Sequence, residues 1–114
     1  MLTVEERYEL FKSTLLKCCS DILSKNDDDF RYTLFEELPI DIISFLHNKT
    51  LDLLFDEGYI DEMIHNKCSD LREIYIGAER KMFELSDVNK IKSSTMFCRI
   101  VYLADEIINL LYIW

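Results

Sequence analysis

Apolar residues recur along this chain in steps of three and four, and that spacing predicts helices from one end to the other. Val4, Tyr8, Phe11, Leu15, Cys18 and Ile22 share one face of a first helix expected to run to about Lys25. Its start is marked by Thr3 and Glu6, a capping box in which each side chain satisfies the other residue's backbone donor. From Asp61, an acceptable N-cap, to about Glu84 the pattern repeats through Ile64, Cys68, Leu71, Tyr75, Ala78 and Met82, with Gly77 as a place for a bend or break. The last segment carries two adjacent stripes, Phe97, Val101, Ala104, Ile108, Leu111 and Ile100, Leu103, Ile107, Leu110, Trp114. An arc that wide belongs to a helix with neighbours on more than one side.

The elements between are shorter. Phe30, Leu34, Phe35 and Leu38 supply the inner face of two to three turns, expected to end before Pro39 because the residue preceding a proline avoids the α region. Pro39 suits the first turn of a third helix, with Ile40, Ile43, Phe45 and Leu46 as its apolar surface. Asn48 or Thr50 separates it from a segment built on Leu51, Leu53, Leu54 and Phe55 and stopped by Gly58. The polar, locally basic stretch after Leu85 reads as a loop or a helical turn. With two glycines and one proline, the chain has too little turn chemistry for the many hairpins of a β-sandwich or barrel. The expected fold is therefore all-α, one domain over residues 1–114, a bundle of about five to six helices with a buried C-terminal helix.

Composition supports a folded chain, since 49% hydrophobic residues against 31% charged supply the apolar side chains that disordered segments lack. The N-terminus, MLTVEERYEL, has neither the basic nor the apolar region of a signal peptide, so a reducing, cytoplasmic location is expected. Cys18, Cys68 and Cys98 fall on apolar stripes, where free thiols pack as small hydrophobes. No run approaches the ~18 consecutive apolar residues of a membrane span.

Charge changes the picture most. Residues 27–62 hold eleven acids against Arg31 and Lys49, so this third of the chain carries the whole formal charge of −9. A pI near 4.6 disfavours nucleic acid and anionic membranes as partners, because both demand Lys and Arg. Asp27, Asp28, Asp29, Asp41 and Asp61 sit where helix N-termini favour carboxylates. Glu36, Glu37, Asp52, Asp56, Glu57 and Glu62 lack that local reason. Aromatic residues among the acids, Tyr32 and Tyr59 expected at the surface, are what protein interfaces contain. The candidate partner-binding set is thus Tyr32, Glu36, Glu37, Asp52, Asp56, Glu57, Tyr59, Asp61 and Glu62.

Catalytic chemistry finds no such footing. His47 and His65 lie in neither an HExxH nor a zinc-spaced cluster, and the single ExxH of Glu62 and His65 lacks the second ExxH and two glutamates of a di-iron bundle. Adjacent Cys18 and Cys19 point about 100° apart on a helix, unlike a CxxC pair. DDDFRYTLFEEL has its acids in tandem where a calcium loop needs them alternating, and isolated glycines make no phosphate loop. No enzyme activity, cofactor or metal is expected.

The stretch LLFDEGYIDEMIHNKCSDLREIY, residues 53–75, together with the terminal ADEIINLLYIW, resembles immunity proteins of bacterial contact-dependent growth inhibition and related polymorphic toxin systems. The resemblance implies a small acidic helical protein that binds a cognate toxin domain, frequently a basic nuclease, and blocks its active site or substrate groove. It implies no catalytic residues. Two other readings compete: a nucleic-acid-mimicking inhibitor of a host enzyme, and a helical structural or regulatory protein acting by homo-oligomerisation. The expected state is a monomer or weak dimer.

Overall fold

The computed structural model describes residues 2–113, and every regular element among them is helical. The chain is all-α. Val4–Cys18 form α1, opened by the expected capping box: Glu6 N–H donates to Thr3 Oγ1 at 3.1 Å and Thr3 N–H to the Glu6 carboxylate at 3.0 Å. The backbone bond from Thr3 holds the Glu6 carboxyl below its ordinary value. Contrary to the expected end near Lys25, α1 stops at Cys18. Cys19 is extended, and a 3₁₀ turn over Ser20–Ser24 follows. Backbone groups that would continue the helix bond elsewhere, Ser20 N–H donating to Asp105 of the distant C-terminal segment at 2.9 Å, while Ser24 Oγ donates locally to the Asp21 carbonyl at 2.8 Å. Ile22 is still buried, so the stripe survives the change of helix type.

The next stretch departs furthest from expectation. Asn26 caps α2, Asp27–Tyr32, by accepting from Asp29 N–H, and the chain then passes through a π turn, Thr33–Glu37, straight into α3, Leu38–Phe45. No break precedes Pro39, and Leu38 keeps helical angles of φ −61° and ψ −39°. In a regular helix the proline ring would strike the carbonyl four residues back. The π turn, with Leu38 N–H bonded to the Thr33 carbonyl, widens the spiral where Pro39 enters. Pro39 has no N–H to give, so the Leu34 carbonyl is left without a helical donor. The Tyr75 hydroxyl, buried on another helix, donates to it at 2.6 Å.

The π turn also resets which residues face inward. Phe30, Leu34, Leu38, Ile42 and Leu46 are buried at strict four-residue steps, a period that drifts off one face of a 3.6-residue spiral and that the wider turn absorbs. Ile42 therefore takes the inward place expected of Ile40 and Ile43, which are exposed.

Asn48–Asp56 form α4, Glu62–Leu85 form α5, Val88–Ser93 form α6 in the stretch left open as loop or turn, and Thr95–Ile113 form α7. With α2, the π turn and α3 counted as one rod, the described residues make six helical rods. α5 runs unbroken through Gly77, and all six residues of its predicted stripe are buried. α7 packs against α5, α1 and α6, burying Phe97, Ile100, Val101, Ala104 and Ile107 from both of its stripes. Trp114, expected at the end of the second stripe, lies outside the described residues. Cys18, Cys19 and Cys68 are buried free thiols, and burial pushes all three above the ordinary thiol value. Cys98 departs from expectation: it is exposed, on the outer side of α7, with its thiol toward the Lys92 carbonyl.

Candidate protein-binding site

The acidic stretch turns a corner at the surface where α4 hands over to α5. His47 opens α4, its Nδ1 accepting from Lys49 N–H at 3.1 Å, so the boundary lies just ahead of the Asn48 or Thr50 expected to separate the segments. The helix closes on Gly58 at φ 82°: Gly58 N–H bonds to the Phe55 carbonyl at 3.1 Å and Tyr59 N–H to the Leu54 carbonyl at 2.9 Å, a Schellman turn that favours glycine. The reversal throws Tyr59 back onto Tyr8, ring centroids 4.8 Å apart. Tyr59 was expected at the surface; it is half-buried and belongs to the packing of α1 against the corner. Asp61 Oδ1 then accepts from Ile64 N–H at 2.8 Å and caps α5. His65 Nε2 lies 2.7 Å from Asp52 Oδ1, with its ring edge-on to Phe55, so this pair ties α4 to α5.

What remains free is a smaller set than the sequence suggested. Asp56, Glu57 and Glu62 are exposed, and no ion pair among the described residues reaches them. Glu62 is the first residue of α5 and gains from the positive end of its dipole, a local reason that the sequence reading had denied it. Asp56 ends α4 and Glu57 caps its C-terminus, where the dipole repels carboxylates. Nothing within the chain favours acids there. Beside them Phe55 and Met63 are exposed, 44% and 53%. Neither belongs to the candidate set that the sequence suggests, although Met63 lies off the buried stripe that begins at Ile64.

The other candidates are placed elsewhere. Glu37 and Asp41 both grip Lys17 of α1, at 2.9 and 2.6 Å, half-buried, so Glu37 serves the fold. The bond to Asp41 holds the Lys17 ammonium above its ordinary value. Tyr32 and Glu36 are exposed, but on the rod that meets α5 at Phe83, where the Phe35 ring sits edge-on at 5.4 Å. The corner meets α5 at His65. At ~1.5 Å rise per residue, those two levels are about 27 Å apart along the helix. The structure thus gathers Asp52, Asp56, Glu57, Asp61 and Glu62, and separates them from Tyr32, Glu36 and Glu37.

The arrangement offers charge and apolar contact, with no nucleophile and base held together. Among the described residues, no group of three or more His, Cys, Asp or Glu is placed to hold a metal, and no helix is long and apolar enough to cross a membrane. Compared with protein-family models, curated proteins and solved structures, the chain matches none of them.

Proposed function

We propose that this chain is a cytoplasmic immunity protein that neutralises a basic toxin domain, a nuclease in the simplest case, by seating the α4–α5 corner in the groove that otherwise holds phosphates. The observation that carries this reading is the position of Asp56 and Glu57: exposed, unpaired, and at the helix end that disfavours them. A partner rich in Lys and Arg, as a nuclease must be, supplies the compensating charge. Long-range attraction to the −9 chain raises the association rate at low salt, and Phe55 and Met63 provide the apolar contact that charge alone does not.

The test is binding, measured by calorimetry, to the basic toxin domain of a gene that adjoins its own, and a neighbourhood without any such gene counts against the reading. Reversing Asp56, Glu57 and Glu62 together to lysine is expected to weaken binding by about 100-fold, or roughly 3 kcal/mol, with the helical circular dichroism unchanged. Unchanged affinity in that variant removes the corner as the site, and absence of any binding by the wild-type chain removes the function.

A further inference from the structure

The outer face of α5 carries a residue that the folded chain itself does not require. Gly77 is exposed in the middle of the helix, where glycine costs about 1 kcal/mol relative to alanine. Its φ is not positive, and a Cβ built on it meets nothing within 4 Å. Neither backbone conformation nor internal crowding explains the absence of a side chain. On one flank of it apolar side chains are exposed: Ile76 and Gly77 line an open cleft with Ile43 of α3 and the polar His47, Asn48, Arg72 and Glu73, Ile40 lies one turn before Ile43, and Phe83 follows Ile76 at a seven-residue step that keeps it on the same side. The exposures of Ile40, Ile43, Ile76 and Phe83 run from 55% to 67%. A bare stretch of helix flanked by exposed apolar side chains lets a second helix approach closely.

The charges along the same face identify that second helix. Asp70 and Glu73 lie on the N-terminal side of Gly77, with Arg72 beside Glu73, and Arg80 and Lys81 lie on the C-terminal side, with Glu84 one turn beyond Arg80. A copy of this helix crossing antiparallel at Gly77 sets Glu73 of each chain against Arg80 of the other. One two-fold rotation makes both pairs, as an isologous interface requires. Among the described residues Arg80 pairs only with Glu84, at 3.2 Å, and Glu73 only with Arg72, at 3.8 Å; the exposed Arg80 and Glu73 side chains are free to exchange partners.

We propose that the chain forms a two-fold dimer in which α5 packs antiparallel on α5 of a second copy, with Gly77 at the crossing and Ile43, Ile76 and Phe83 covered. This does not rest on the toxin-binding reading: the acidic corner starts at Glu62, about 22 Å away along the helix, and stays open in the dimer. The two −9 chains repel at long range, so the association is weak and is best seen near 0.15 M salt, where the screening length is ~8 Å.

Sedimentation equilibrium of the full chain, up to about 0.1 mM, tests the proposal. The wild type is expected to dimerise over that range. Gly77→Leu is expected to weaken the dimer at least tenfold while raising the melting temperature of the monomer, because leucine is the better helix former. E73K and R80E each weaken it, and the double variant E73K/R80E recovers the wild-type affinity. A single copy at every concentration overturns the proposal, as does a dimer indifferent to Gly77→Leu and to the single charge reversals. Failure of the double variant to recover overturns the antiparallel register.

Discussion

The two halves of the acidic stretch put the same residue type to opposite use. In the rod from Asp27 to Phe45, all the acids but the exposed Glu36 serve the fold: Asp27, Asp28 and Asp29 fill a first helical turn, and Glu37 and Asp41 hold Lys17. At the α4–α5 corner, Asp56 and Glu57 gain nothing from the chain and face water. Net charge counted along the sequence treats these groups alike. The difference lies in which helix end each carboxylate occupies and whether a base lies within reach.

Substitutions that separate fold from surface bear on this contrast directly. The largest expected effect comes from Phe30→Ala, since Phe30 is fully buried against Phe97, ring centroids 5.3 Å apart; the loss is about 3–5 kcal/mol in chemical denaturation. Phe55→Ala at the corner is expected to stay within about 1 kcal/mol, and a comparable loss there would show the corner to be core. Tyr75→Phe comes next. It leaves the Leu34 carbonyl buried without a donor and is expected to cost about 1–3 kcal/mol, a loss absent when Pro39 is replaced by alanine in the same chain.

Smallest is Lys17→Met, at about 0.5–1 kcal/mol, against no measurable loss for Glu57→Gln. Lys17 titrates above the ordinary lysine value of 10.5 in the folded chain, so its contribution is complete below that pH and is lost as the pH rises through the folded value. The gap between wild type and Lys17→Met should therefore hold from neutrality to about 10.5 and close above it. A gap that stayed open well above that pH would remove the lysine charge as its cause.

Where one helix buries one stripe over many turns, as α5 does from Ile64 to Met82, periodicity alone located the element and its inner face. At the rod, the preference of a residue before proline for extended backbone points to a break, whereas a widened turn carries the helix through. Its signal was present in the unbroken four-residue spacing of Phe30, Leu34, Leu38, Ile42 and Leu46, which no regular helix keeps on one side. At the corner, the excess of charge was visible in composition, but its division was not. Whether Glu37 meets Lys17, or Tyr59 turns back onto Tyr8, depends on contacts between distant segments that local spacing does not encode.

The bond between Tyr75 and the Leu34 carbonyl imposes an order on the changes a lineage of such chains can accept. Replacing Pro39 first restores an N–H near that carbonyl and frees Tyr75 to drift toward phenylalanine. Replacing Tyr75 first strands the carbonyl for as long as the proline remains. Descendants should therefore carry proline with tyrosine, or have lost the proline, and the combination of proline with phenylalanine should be the one that inheritance avoids.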